Sequence, residues 1–263
     1  MPITKITRAE LKERWYRRRF LVPNLVTVGN LFCGFLASIY SISGQFDKAA
    51  YTILIAIILD GLDGRVARKL NATSKFGVEF DSFSDLVSFG VAPAIMMFMW
   101  CFQTMADEFG VFVTFLFVLC AASRLARFNV SKENLTSFQG CPTPGSAGMV
   151  IALIYALPGK VDNLWLVGLG TAVMLSLSYF QVSNIEYPSI KKMRLRSLGI
   201  PSRIYLGALF GLIWYAPRVG FLVLATWYAF GGPLKLIYRR YIQRVPRGQE
   251  TPLPPNANQT VGE

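Results

Sequence analysis

Apolar runs recur along the chain, most of them close to twenty residues long and separated by short polar breaks. Eight can be marked, near 25–43, 49–68, 77–102, 109–129, 145–158, 164–184, 200–216 and 219–238. Windows this long and this poor in charge read as membrane-spanning helices. A soluble helical bundle would need polar faces that these windows lack. The fifth and seventh runs are short, which suits a tilted, half-spanning or bundle-buried helix. The pattern predicts an all-α integral membrane protein with about eight transmembrane helices.

Charge orients this parse. Of the 27 lysines and arginines, 24 fall at one set of alternate helix ends and three at the other. The positive-inside rule then places both termini, and the loops near 69–76, 130–144 and 185–199, in the cytoplasm of a multi-pass protein of the cell's inner membrane. The first twenty residues include "TKITRAELKERWYRRRF", seven basic residues interleaved with Trp15, Tyr16 and Phe20. That composition predicts a basic amphipathic interfacial helix lying on the anionic lipid bilayer. A span follows it at once, which argues against nucleic acid as its partner. No cleavage site follows the basic segment, so it does not read as a signal peptide. Residues 246–263 lack the apolar content for a core and read as a disordered cytoplasmic tail. The sequons at Asn71, Asn134 and Asn258 fall on the cytoplasmic side and read as chance. Residues 21–185 are expected to form one membrane core and 186–245 a C-terminal helix pair.

Composition then narrows the chemistry. The chain is 53% hydrophobic and has no histidine, which removes histidine-ligated zinc and every histidine-based triad. Its four cysteines show no metal-ligand spacing, and Cys33, Cys101 and Cys120 sit within apolar runs as small hydrophobic residues. Acid–base or metal chemistry must run on carboxylates, lysine, tyrosine or water.

One stretch carries the carboxylates: "DGLDGRVARKLNATSKFGVEFDSFSD", residues 60–85. Asp60, Asp63, Gly64 and Ala67 share one face of the second helix, and Gly77, Asp81 and Asp85 share one face of the third. A short turn with Asn71, Ser74 and Lys75 brings the two faces together at the cytoplasmic interface. An aspartate at mid-membrane costs about 3 kcal/mol, less near the interface, and four that repel one another need compensating cations. Arg65 and Arg68 can neutralise two. Hard divalent ions answer the arrangement better, and four carboxylates suit a two-ion centre of Mg²⁺ or Mn²⁺ of the kind that drives phosphoryl displacements. Gly64 and Gly77 each lie one turn from an aspartate, which fits either tight helix packing or a ligand laid against bare backbone. A divalent-cation transporter is the rival reading; it predicts acidic residues at several depths or at both mouths.

The spacing D-x-x-D-G-x-x-A-R-x8-G-x3-D-x3-D resembles the signature of the CDP-alcohol phosphotransferases at every fixed position: Asp60, Asp63, Gly64, Ala67, Arg68, Gly77, Asp81 and Asp85. The resemblance implies a catalytic core of six membrane helices over 21–185, often dimeric, here with two further helices. It implies that Asp60, Asp63 and Asp81 hold the metals, and that Asp85 touches the second metal and accepts the proton of the attacking alcohol. Gly64, Ala67, Arg68, Ser74 and Gly77 would lie against the CDP moiety, with Asn24 and Thr27 of "PNLVT" helping from the first helix. Two arginines one turn apart in "SRLARFNV", Arg124 and Arg127, together with Asn129, suit a carboxylate or phosphate on the second substrate. Serine, glycerol 3-phosphate and inositol phosphate all meet that requirement. "PNLVTVGNLFCGF", "RLARFNV" and "FQGCPTPGSAG" together resemble the membrane-integral phosphatidylserine synthases. That resemblance implies CDP-diacylglycerol and L-serine as substrates and phospholipid biosynthesis as the role, with a homodimer as the assembly.

Overall fold

A computed structural model of the chain describes residues 21–70, 72, 74–103, 107–130, 140–161, 163–185, 187 and 215–244. The basic segment at 1–20, the expected span at 200–216 and the tail at 246–263 lie outside the described residues. Seven helices are present among those described, and no strand. They are α1 (Leu21–Ile42), α2 (Phe46–Lys69), α3 (Lys75–Phe102), α4 (Asp107–Val130), α5 (Thr143–Ala156), α6 (Leu164–Val182) and α7 (Pro217–Arg244). Seven of the eight expected segments fall on these helices.

Helix α1 is inside-out by the standard of a soluble protein. The buried stripe of α1 is Pro23, Thr27, Asn30, Gly34, Ala37 and Ser41, small or polar at every position. Its exposed face carries Leu25, Phe32, Phe35 and Ile39. Hydrocarbon exerts no hydrophobic push between helices, so small residues go to the interface and large apolar ones face lipid. Among the described residues, five helices are long and apolar enough to cross a membrane: α1, α3, α4, α6 and the Pro217–Leu236 stretch of α7. The protein is an integral membrane protein. The aspartates and arginines of α2 keep it off that roster although it has 24 residues. Five charged residues within its last ten are what make it unlike its neighbours.

A tight turn at Gly44, where φ is +71°, folds α2 back antiparallel along α1, the most extensive pairing in the bundle. Only glycine adopts that φ without strain. Gly34 serves a different end: a Cβ there would lie 2.6 Å from the Ser88 Cα, so α1 and α3 cross with their backbones almost touching. Ser84 and Ser88 donate to the Thr27 and Asn30 carbonyls across that crossing, at 3.2 and 2.9 Å. α3 is the central helix, and it widens into π-helical turns at Leu86–Val91 and Phe98–Phe102. Pro93 has no N–H to give to the preceding turn, and the first widening absorbs that loss immediately after Asp85. The short α5 is buried almost all round, among α2, α3 and α7, which is why fourteen residues suffice for it. The core runs through Phe89, Met96, Trp100, Phe117, Ile151 and Met174. At the end of the bundle away from the aspartates, Trp100 donates its indole N–H to the Leu157 carbonyl at 3.2 Å.

Candidate active site

Three helix ends meet at the carboxylates. Asp60 and Asp63 come from the last turns of α2, and Asp81 and Asp85 from the first turns of α3. Ser74 starts α3 by accepting the Gly77 N–H at 3.0 Å, so the turn between the helices is closed by a side-chain cap. One oxygen each of Asp60, Asp63 and Asp81 lies within 4.8 Å of the others. Asp85 sits one turn deeper, 9% exposed, against Asp60 and within electrostatic reach of Asp63 and Asp81.

The surrounding hydrogen bonds aim these groups. Thr27 donates to Asp63 Oδ2 at 3.2 Å, and the Gly64 N–H donates to Asp63 Oδ1. Asn30, wholly buried in α1, donates its Nδ2 to Asp85 Oδ1 at 3.3 Å. Sequence reasoning missed Asn30; the signal was an amide three residues after Thr27 on the otherwise small-residue stripe of α1. Among the described residues, Asp60, Asp63 and Asp85 have no arginine or lysine ion-pair partner. Arg68 folds over its own Gly64, which a Cβ there would meet at 3.8 Å. Crowded carboxylates that offer oxygen donors only, Asp60, Asp63 and Asp85 among them without a described arginine or lysine partner, fit a hard divalent cation.

Beside the cluster lies a cleft of about 310 Å³. Asn24 and Thr27 line it from α1, Gly64, Ala67 and Arg68 from α2, and Ser74 and Gly77 from the start of α3. Asp63 and Asp81 close its inner wall. The two glycines now separate. A Cβ on Gly77 would come within 3.1 Å of Asn24 Oδ1 and Ser74 Oγ, so that glycine serves close packing. Gly64 meets nothing but the Arg68 guanidinium and leaves bare backbone to the cleft.

The three candidates on α4 go separate ways. Arg124 reaches Thr143 Oγ1 at 3.4 Å, and its Nε is buried without a partner. Arg127 donates to the Val182 carbonyl at 3.1 Å and to Asn184 Oδ1 at 3.4 Å. Asn129 donates to Ser82 Oγ at 2.9 Å and to Glu79 Oε2 at 3.2 Å, tying α4 to α3. Five residues on from Arg124, Asn129 lies about 140° around the helix and faces a different neighbour.

A profile of the CDP-alcohol phosphatidyltransferase family matches residues 20–181, from the start of α1 to the end of α6. The chain belongs to this family. Among similar proteins of the family is a CDP-diacylglycerol–serine O-phosphatidyltransferase of Helicobacter pylori (strain J99), 41% identical over 183 residues, 66% of this chain and 75% of that protein. The protein of the same name from Bacillus subtilis (strain 168) is 36% identical over 171 residues, 65% of this chain and 92% of its own length. An archaetidylserine synthase of Methanothermobacter thermautotrophicus is 36% identical over 177 residues, 65% of this chain and 71% of that protein. The family match ends before α7, so this last described helix lies beyond what the CDP-alcohol phosphatidyltransferase profile covers.

Proposed function

We propose that this chain transfers the phosphatidyl group of CDP-diacylglycerol to the hydroxyl of L-serine, releasing CMP and making phosphatidylserine. The observation that carries the reading is the carboxylate cluster of Asp60, Asp63 and Asp81 opening on a cleft lined by Asn24, Thr27, Gly64, Arg68 and Ser74. The similarity to serine-using relatives at 36–41% identity supports the acceptor.

In this reading the cleft takes the CDP moiety. Bare backbone at Gly64, with Ala67 beside it on the cleft wall, lets a flat ring approach, Gly77 lets α3 pack closely enough to shape that wall, and Arg68 supplies positive charge for the pyrophosphate. Asn24, Thr27 and Ser74 present polar atoms along the same wall. Asp60, Asp63 and Asp81, with Asp85 beside them, would hold Mg²⁺ or Mn²⁺, two ions per site, and such ions supply charge neutralisation at the pyrophosphate when bound. Serine's hydroxyl oxygen forms the new bond to the phosphorus that carries diacylglycerol. The bond from that phosphorus to the bridging oxygen breaks, and CMP leaves with that oxygen. The hydroxyl proton passes to Asp85, whose carboxylate Asn30 holds in place. Arg124 faces the acceptor with its unused Nε.

Charge asymmetry supports an inner-membrane protein with both termini and the site in the cytoplasm, and the family resemblance supports a homodimer. An ion path fits less well. At the other end of the bundle the cavity of about 330 Å³ is lined by Lys48 and Lys160 as well as Asp47, so it is no second acidic mouth.

Purified protein in detergent, given CDP-diacylglycerol and Mn²⁺ or Mg²⁺, tests the reading when serine, glycerol 3-phosphate, inositol phosphate and choline are offered separately. CMP release with serine, and phosphatidylserine as the lipid product, is the expected result. Release with glycerol 3-phosphate alone would reassign the acceptor to that substrate, and release with none of them would remove the transferase reading.

A further inference from the structure

The end of α6 carries a buried polar group that the reaction as described leaves unused. Gln181, in the last turn of α6, is 0% exposed, and neither its Nε2 nor its Oε1 has a hydrogen-bond partner. A buried amide with both ends empty is rare, because each unmet donor or acceptor carries its full desolvation cost. Two further polar ends lie nearby in the fold. The Arg124 Nε is also buried and unpartnered. At the start of α5, Pro142 and Pro144 have no N–H and those of Gly145 and Ser146 donate to the Pro142 carbonyl at 2.9 and 3.0 Å, so with no side-chain cap this positive end keeps the Thr143 N–H to offer a ligand.

The backbone holds these elements in one place. The Gly140 N–H donates to the Ile185 carbonyl and the Cys141 N–H to the Phe180 carbonyl, both at 2.9 Å, clipping the approach to α5 onto the end of α6. Gly140 has φ +80°, and a Cβ there would lie 2.4 Å from the Gln181 carbonyl oxygen, so no other residue permits the clip. Arg127 grips the carbonyl of Val182, next to Gln181, while Arg124 reaches Thr143 at the start of α5. The remaining side comes from α7. The Tyr228 ring lies where a side chain at residue 145 would be, 2.3 Å from a Cβ built on Gly145, and its phenol is within electrostatic reach of Arg124 and Cys141. Tyr187 fixes α7 in this position by donating to the Ala229 carbonyl at 2.8 Å.

We propose that Gln181 and Tyr228 complete the acceptor pocket and set its selectivity for a zwitterionic amino acid. This rests on the transferase reading above. Arg124 and the Thr143 N–H at the start of α5 take the carboxylate. The Gln181 side-chain oxygen takes the ammonium, and its NH₂ is left to the carboxylate. An acceptor with an anion but no ammonium leaves that oxygen unpaired and buried, which is the physical basis for rejecting it. Gln181 acts on the acceptor before transfer and takes no part in the bond exchange. Tyr228 makes α7, which lies beyond the family match, a working wall of the site.

The test compares L-serine with 3-hydroxypropionate, which keeps the hydroxyl and the carboxylate and lacks the ammonium. Wild-type protein should prefer serine strongly in kcat/KM. In Gln181→Met that preference should fall by about 10- to 100-fold, the range of one lost hydrogen bond to a charged group, with the KM for CDP-diacylglycerol unchanged. Gln181→Glu, which keeps an oxygen for the ammonium, should retain the preference. Tyr228→Phe, which keeps the ring against Gly145, should raise the KM for serine and leave that for CDP-diacylglycerol alone. An undiminished serine preference in Gln181→Met would overturn the assignment of Gln181, and an unchanged serine KM in Tyr228→Phe would remove α7 from the pocket. If Gln181→Met does not fold, loss of the preference in Gln181→Glu overturns the assignment instead. Failure of the transferase reading looks different: wild-type protein then releases no CMP with serine at all.

Discussion

The two halves of the site are built in different ways. The proposed donor half is local: α1, α2 and α3 are consecutive, a turn of a few residues joins the last two, and its side chains fall within Asn24–Asp85. The proposed acceptor half is assembled from afar, from Arg124 on α4, Thr143 on α5, Gln181 on α6 and Tyr228 on α7. A charged constellation that helical periodicity alone brings together leaves a repeat in the sequence, and the donor half has one. A pocket whose members are separated by tens of residues leaves none, and its polar groups look like isolated residues in apolar runs.

Substituting Asp85 strikes where the two halves meet. Asp85→Asn removes the proposed proton acceptor while keeping an isosteric side chain for Asn30, and kcat should fall by about 10²- to 10⁴-fold with the protein still folded in detergent. Near wild-type turnover in that variant would take Asp85 out of the chemistry. Arg124→Ala should affect the acceptor half alone: the KM for serine rises about 10- to 100-fold while that for CDP-diacylglycerol holds. If the KM for the lipid rises instead, Arg124 belongs to the donor half. Gly64→Ala gives the smallest and most specific effect. The cleft has room for the methyl, so the helix gains about 0.5–1 kcal/mol and thermal stability rises, yet the KM for CDP-diacylglycerol should rise as well. A stabilised variant with unchanged lipid KM would mean that the nucleotide does not lie on that backbone.

The helices were legible because the apolar runs end at polar or charged residues, glycine or proline. Residues 25–43 and 49–68 read as spans became Leu21–Ile42 and Phe46–Lys69, displaced by a few residues at their ends. The aspartates were legible for the same reason, since i, i+3 and i+4 spacing fixes a helix face without knowledge of the rest of the fold. Spacing also left the roles of Gly64 and Gly77 undivided, because open cleft and crowded packing differ only in what stands opposite. Asn30 was hidden in the apolar run of α1, and its meaning depends on Asp85 fifty-five residues later. The widening of α3 after Asp85 depends on how the helix accommodates Pro93, and periodicity assumes that the helix does not change its pitch. On α4 the spacing grouped Arg124, Arg127 and Asn129, whereas the bundle gives each a different neighbour.

The central claim is that the carboxylates of α2 and α3 form a metal-held reaction centre for transfer to serine. Its most direct test is serine-dependent CMP release by the purified protein before and after exhaustive removal of divalent ions. Release should fall to background on chelation and return when Mg²⁺ or Mn²⁺ is added back. Turnover that persists in fully stripped protein would contradict the claim and leave the buried aspartates without the cation that explains them.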